Sequence, residues 1–384
     1  MEISLVASTN NNFCFDLFKT IFVEKNKENV FISPFSIAAA VAMTSLGAKD
    51  ATAQGIVKAL RWQPDEGNKI HEQFQVYLSL LKTPNDKFSL SSANRIYIQE
   101  NFKVLDEFKG STIKYYLAEP VNADFANAAE AECAQINKWV SKETQEKIKD
   151  LIPQGVLNAL TRLVIVNAIY FKGNWDVQFS EKQTQPQSFK IAPGQTKSVP
   201  TMNAKKKYKV GQSNGLQCRA IEIPYKGKDL SMIVILPNED FGLQGLVESL
   251  NQDTINELLS SMELAMGDIN LCLPKFEVTS SHSLKEALSS MGMSDAFSVE
   301  RANFSGITGT NDLFITAAIH KAFIKVNEEG TEAAAATAMT FGLRCMPISV
   351  PPFIVDHPFL YLIKDNRANG LILFIGAVVD PSLQ

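Results

Sequence analysis

Helical spacing of apolar residues dominates the first 150 positions, and strand-like spacing dominates the rest. Phe13, Phe15, Leu17, Phe18 and Ile21 predict an amphipathic helix over 11–25, followed by a short strand at 29–32. Ser33 and Pro34 stand as N-cap and first-turn residues of a helix reaching Leu46. Positions 51–60 and 70–81 read as further helices. Leu90, Ile96 and Ile98 alternate within a strand over 88–99, and 126–151 reads as one long helix with Trp139 on its apolar side. The run 162–171 is nearly all apolar, as in a strand covered on both faces. Strands follow at 199–210, 216–224 and 230–236, then helical pieces at 243–250, 254–262 and 284–291. A long strand at 314–326 and a hairpin of 359–364 with 371–378 complete the pattern. Helices first and antiparallel strands later predict an α+β fold. No composition break, proline-rich linker or repeat divides residues 1–384, so one domain is expected.

The stretch after 326 fits none of this. Asn327-Glu328-Glu329-Gly330-Thr331-Glu332 leads into Ala333, Ala334, Ala335 and Ala336, then Thr337-Ala338-Met339-Thr340-Phe341-Gly342-Leu343-Arg344-Cys345. Alternation would put Thr331, Ala333, Ala335, Thr337, Met339, Phe341 and Leu343 on one face and both Glu332 and Arg344 on the other. Alanine and glycine are poor strand formers, and Glu332 with four alanines favours helix. The segment therefore chooses no strand locally, yet its small first face would fit a sheet that opened for it. The arginine at its far end suits an enzyme that cuts after basic residues. Ala-rich runs are also ordinary helices or linkers, so this window alone leaves both readings open.

Composition narrows the function classes. The chain is 45% hydrophobic and 20% charged, with a formal net charge of −4, and carries no nucleic-acid signature. Its densest basic cluster, Lys205-Lys206-Lys207 with Lys209, reads as a solvated strand end rather than a polyanion site. No run of 18 apolar residues predicts a membrane span, and the N-terminal residues do not read as a secretory signal. Cys14, Cys133, Cys218, Cys272 and Cys345 lack metal-type spacing and read as reduced thiols of an intracellular chain. The sequon Asn303-Phe304-Ser305 reads as a chance match. No metal or cofactor motif is present.

One catalytic pattern needs weighing. Gly211-Gln212-Ser213-Asn214-Gly215 matches G-x-S-x-G, which requires a strand before and a helix after. Here strands flank it on both sides, and Asn214-Gly215 is a hairpin turn signal. His71, His282, His320 and His357 fall in a helix, a loop, an apolar strand and a turn before proline, and nothing brings one to Ser213. His320, inside Ala317-Ala318-Ile319-His320-Lys321-Ala322-Phe323, reads as a core residue satisfied by a polar neighbour.

Several segments, in order along the whole chain, resemble the serpin family. Val326-Asn327-Glu328-Glu329-Gly330-Thr331-Glu332-Ala333-Ala334 is similar to its loop hinge, and Phe31-Ile32-Ser33-Pro34-Phe35-Ser36-Ile37 to the start of its helix B. Val166-Asn167-Ala168-Ile169-Tyr170-Phe171-Lys172-Gly173-Asn174-Trp175 resembles a strand of its central sheet, sheet A, with the tryptophan that follows. His320-Lys321-Ala322 resembles the fifth strand of that sheet, and Asp356-His357-Pro358-Phe359-Leu360 with Phe374-Ile375-Gly376 its terminal hairpin. The hinge and the start of the chain look most like the ovalbumin-type intracellular branch.

The resemblance implies three sheets, eight or nine helices, a five-stranded sheet A and an exposed reactive loop over about 328–350. Counting sixteen residues on from Glu328 reaches Arg344, which makes Arg344–Cys345 the expected reactive bond. It also implies that Glu328 through Ala336 form the hinge. Ser33, Ser36, Asn167 and His320 would form a polar cluster under the sheet, and Trp175 would mark where insertion begins. The implied activity is inhibition of trypsin-like serine proteases as a suicide substrate, with no cofactor and no enzymatic activity of its own. A non-inhibitory binding or storage protein is the alternative. Cysteine proteases that accept arginine stay open as partners, a monomer is expected, and nucleic acid and membranes are not partners. The expected location is the cytoplasm, with release without a signal peptide left open. Cys345, beside the reactive bond, would be a thiol open to oxidation.

Overall fold

The computed structural model describes residues 3–63, 67–83, 86–331 and 350–383. Among these residues lie three sheets, of seven, four and six strands. Eight α-helices have seven or more residues, from Ser4–Glu24 to Gln252–Ser260, and a composite turn begins at Lys285–Leu288 and continues through Ser289–Met293. The mixed α+β architecture and the three sheets agree with the sequence reading.

The Pro34–Ser45 helix is buried from Pro34 through Thr44, so it is apolar all round rather than amphipathic. It packs against the Leu163–Asn174 and Phe88–Gln99 strands on one side and Leu371–Val378 on the other. Ser33 starts it by accepting the Ser36 N–H at 3.3 Å. This helix is the floor beneath the six-stranded sheet.

That sheet runs Phe276–Ser283, Ile315–Val326, Gly330–Thr331, Leu163–Asn174, Phe88–Gln99, Val121–Ala123. Five long or ordinary strands match the expected number, and the sixth is the two-residue hinge piece. Ile315–Val326 and Leu163–Asn174 pair directly and in parallel from Ile315↔Leu163 to Phe323↔Tyr170. At one end the hinge piece separates them, with Val326↔Thr331 on one side and Gly330↔Asn174 and Thr331↔Gly173 on the other. The parallel pair corrects the expectation of purely antiparallel strands. A crossover of well over a hundred residues joins the two, which is what parallel pairing requires.

Three further expectations change. The helix expected over 126–151 is Phe125–Glu143; Gln145 and Glu146 then take positive φ and the chain turns back. Ile148, Leu151 and Ile152 pack in the cluster beneath that helix, which explains their helical-looking spacing. The strand expected over 199–210 is two, Gln195–Lys206 and Lys209–Ser213, because the chain changes sheets there. His282 lies in the Phe276–Ser283 strand and not in a loop. The Asp106–Tyr116 helix and the Gln185–Ala192 and Ile269–Pro274 strands had no clear periodicity to show them.

The hydrolase-like pattern resolves as a hairpin. Lys209–Ser213 pairs antiparallel with Cys218–Pro224, and Ser213 Oγ braces the turn by accepting the Leu216 N–H at 3.1 Å. Asn303 of the sequon is engaged locally, donating to Asp50 at 2.7 Å and accepting from the Ser305 N–H. Cys14, Cys133, Cys218 and Cys272 are buried free thiols.

Candidate functional site

Asn167 and His320 face each other across the parallel seam, both wholly buried. His320 Nε2 accepts the Ser33 backbone N–H at 3.2 Å. That bond requires a bare Nε2, so the proton sits on Nδ1 and is donated to Asn167 Oδ1. Asn167 Nδ2 donates to the Ser36 carbonyl at 2.9 Å, to Ser36 Oγ at 2.7 Å and to Asn94 Oδ1. Ser36 Oγ also donates to Asn94 Oδ1 at 3.2 Å, and Ser33 Oγ donates to the Leu373 carbonyl at 2.8 Å.

The His282 ring lies parallel to His320, with centroids 6.4 Å apart, and bonds Ser280 Oγ at 2.6 Å. Burial pushes His320 well below its usual value, and neighbouring His282 pushes the same way. The cluster is a neutral hydrogen-bond network. It joins the floor helix to the two strands of the seam and to Asn94 on the next strand.

A second constellation lies where the hinge piece enters. Trp175 donates its backbone N–H to the Glu329 carbonyl and its indole N–H to the Asn327 carbonyl, both at 3.0 Å. Phe179 donates its N–H to the Glu328 carbonyl at 2.8 Å. Asn327 Oδ1 accepts the N–H groups of Glu329 and Gly330, each at 3.2 Å, which tightens the turn. Gly330 has φ of +151°, and a Cβ there would fall 2.1 Å from the Gly173 carbonyl oxygen. Only glycine passes.

The Glu328 carboxylate is buried. It pairs with Lys275 Nζ at 2.8 Å and accepts the Thr184 hydroxyl at 2.7 Å. Burial pushes this carboxyl up, but hydrogen bonds from Lys275 and Thr184 outweigh it and hold the group below its usual 4.5. Thr331 is fully buried with its Oγ1 2.9 Å from the Tyr225 hydroxyl. Tyr225 stacks on Trp175 at 4.7 Å and meets Phe171 edge-on at 5.2 Å. The inward face read from the sequence is thus the one Thr331 presents.

Past residue 349, Phe353–Ile354 pairs in parallel with Ile269–Pro274 on the four-stranded sheet. Arg219 covers the Phe353 ring at 4.9 Å, and Lys190 bonds Asp240 and Asp356 at 2.9 and 3.3 Å. The described chain on either side of residues 332–349 is therefore tied to different sheets. Arg344, Cys345 and the hinge residues Glu332, Ala333, Ala334, Ala335 and Ala336 lie outside the described residues.

The structure brings Ser33, Ser36, Asn167 and His320 into one cluster and sets Trp175 against the hinge. Sequence reasoning missed Asn94, His282, Tyr225, Lys275 and Thr184. Asn94 interrupts the apolar face of Leu90, Ile96 and Ile98, and His282 that of Phe276 and Val278, so alternation marked the faces but not these polar positions as a site.

The serpin family profile, described as serpin (serine protease inhibitor), matches residues 8–381. Human Serpin B3 is 39% identical over 391 residues, covering 98% of this chain and 99% of that protein. Human leukocyte elastase inhibitor is 38% identical over 382 residues, with the same shares of 98% and 99%. The crystal structure of uncleaved ovalbumin superposes with a TM-score of 0.88 at 31% identity, covering 98% of this chain and 100% of that one. Fold, family profile and sequence relatives agree, and the chain belongs to the serpin family.

Proposed function

We propose that this serpin inhibits trypsin-like serine proteases as a suicide substrate, with Arg344 as the recognition residue and Arg344–Cys345 as the bond attacked. One observation carries the reading. Gly330 and Thr331 already occupy the first rung of a strand between two parallel neighbours, with Thr331 seated on Tyr225. The chain that follows has small side chains at Ala333 and Ala335 on the same alternating face. Relatives named as elastase inhibitors support protease inhibition, and Arg344 narrows the class to enzymes that cut after basic residues.

A protease serine attacks the Arg344 carbonyl and forms an acyl-enzyme. Cleavage frees the loop from its anchor at Phe353–Ile354, and residues from Glu332 onward follow Thr331 into the seam. The strands part where the Asn167–His320 bond now joins them, and the Ser33–Ser36–Asn167–His320 cluster acts as the gate. Thirteen inserted residues carry the linked enzyme on the order of 40 Å. Displacing its catalytic groups by about 1 Å costs about 100-fold in rate, so deacylation stalls.

Incubation with trypsin tests the reading. The expected result is an SDS-resistant complex with a released peptide beginning at Cys345, and loss of that complex in Arg344→Ala. Digestion of the loop by a trypsin that stays fully active would overturn it.

A further inference from the structure

The basic run Lys205-Lys206-Lys207 with Lys209 is not one patch in the folded chain. Strand alternation splits it. Lys206 Nζ donates to the Val177 carbonyl at 3.1 Å and lies 5.0 Å from the Tyr208 ring centre; burial lowers it to about 8. Lys209 pairs with Glu222 at 3.5 Å. Lys205 instead lines a shallow groove of about 300 Å³ on the four-stranded sheet, and Lys182 lines it too.

Gln185, Gln187, Asn203 and Asn270 line the same groove, and no carboxylate does. Asn203 is fixed in place: its amide donates to the Gln183 and Thr201 carbonyls at 2.9 and 3.0 Å, and its oxygen accepts from Cys272 at 3.0 Å. Lys182 and Lys205 are exposed and have no ion pair among the described residues. The groove therefore offers two ammonium groups without ion pairs among the described residues, in a lining otherwise made of amides.

Its position says what meets it. Cys272 is the residue opposite Asn203 on one side and opposite Ile354 on the other. The groove thus lies on the same sheet as the short strand to which the chain returns after the reactive bond, with the Ile269–Pro274 strand between Asn203 and that strand. Arg344 stands nine residues before Phe353, a reach of at most about 30 Å of extended chain. An enzyme that grips Arg344 is held near this face.

Resting on the inhibitor reading, we infer that this groove is a secondary docking site for the attacking protease. It takes acidic side chains on the rim of the enzyme's active site. Paired charges at such a rim raise the association rate more than the final affinity. The site selects among enzymes that share a preference for arginine, a choice that Arg344 alone cannot make.

Anionic and cationic trypsin share a cleavage preference and differ in surface charge, so they test this directly. The measurement is the rate of SDS-stable complex formation at low and at physiological salt, for the native sequence and for Lys182→Glu/Lys205→Glu. The expected result is a fall of about 10-fold with anionic trypsin at low salt, a smaller fall at physiological salt, and no fall with cationic trypsin. Stoichiometry and thermal midpoint should not change, and Lys182→Met/Lys205→Met should give an intermediate fall. Equal rates for the native and reversed proteins with anionic trypsin would overturn the docking site and leave the inhibitor reading standing. A lysine effect seen only when a sulfated polysaccharide is added would overturn it in favour of a polyanion. Absence of any complex between the native protein and either trypsin would overturn both readings.

Discussion

Lys275 Nζ lies 2.8 Å from Glu328 Oε2, and Thr184 donates to the same carboxylate at 2.7 Å. Glu328 stands two residues before Gly330, where the chain enters the six-stranded sheet. With Trp175 and Phe179 holding the Glu328 and Glu329 carbonyls, the base of the loop is fixed from three sides. Gly330 and Thr331 are themselves paired to both neighbouring strands, so the register of the chain at this point is set.

Lys275→Ala should therefore loosen the hinge base. The carboxylate left behind is buried, and an unpaired buried acceptor costs about 1–3 kcal/mol. Lys275 itself is 37% exposed, so screening places the loss toward the lower end of that range. The sign with pH follows from the Glu328 carboxyl lying below 4.5 in the folded chain. Its stabilisation is present above the unfolded value and is lost as pH falls through the lower folded value. Thermal unfolding should separate native and Lys275→Ala proteins at pH 7 and bring them together below about pH 4.5.

Thr331→Arg should turn the inhibitor into a substrate. Thr331 is wholly buried against Tyr225, which is itself stacked on Trp175, and no space remains for a guanidinium. Trypsin should cleave Arg344–Cys345 in this variant and remain active on a small substrate. Tyr225→Phe is the milder companion. It leaves the Thr331 hydroxyl without its partner, a loss of about 1 kcal/mol, and should raise the number of inhibitor molecules consumed per enzyme trapped. Inhibition that is unchanged in Thr331→Arg would remove the insertion step from the mechanism.

The sequence displayed the strands of the central sheet because their residues are apolar or alternate, as in Leu163–Asn174 and Phe88–Gln99. It displayed the hinge through its composition, and His320 as a polar residue in an apolar strand. What it hid were partners brought from afar. Lys275 is 53 positions from Glu328, and Tyr225 is 106 from Thr331. Each is an ordinary residue at the end of an ordinary strand, and only the fold gives it a neighbour. The helix overrun at 144–151 has the opposite cause: Ile148, Leu151 and Ile152 are spaced like a helix because all three reach the same cluster by another path.

Three buried histidines predict acid sensitivity. Burial lowers His71 and His282 to about 4 and holds His320 well below its usual value. The unfolded chain takes up protons near 6.5 and the folded chain does not, so stability is full above that pH and declines below it. Each histidine contributes a slope of about 1.4 kcal/mol per pH unit. Urea unfolding between pH 7 and 5 should show this decline, in a window above the usual carboxylate range. His320→Gln keeps a donor and an acceptor for Asn167 and Ser33, and should reduce the slope by about one proton. A slope unchanged in that variant would mean that His320 carries its proton in the folded state.

Cleavage of the loop should raise thermal stability. Before cleavage the seam is a parallel ladder from Ile315↔Leu163 to Phe323↔Tyr170, entered at one end by Gly330–Thr331. A strand that continues from Thr331 would pair antiparallel with both neighbours, as Thr331 does now, and antiparallel ladders are slightly more stable per residue. In the intact chain Phe353–Ile354 is held on the four-stranded sheet, which tethers the chain that follows Thr331 at its far end. Cutting Arg344–Cys345 removes that restraint without changing any other residue. Even about 5 kcal/mol of net gain would lift the midpoint of a chain this long by about 6 °C. Calorimetry of the cleaved, protease-free protein should show at least this rise, and Thr331→Arg cleaved at the same bond should not. A cleaved native protein melting at the temperature of the intact one would show that the seam stays shut.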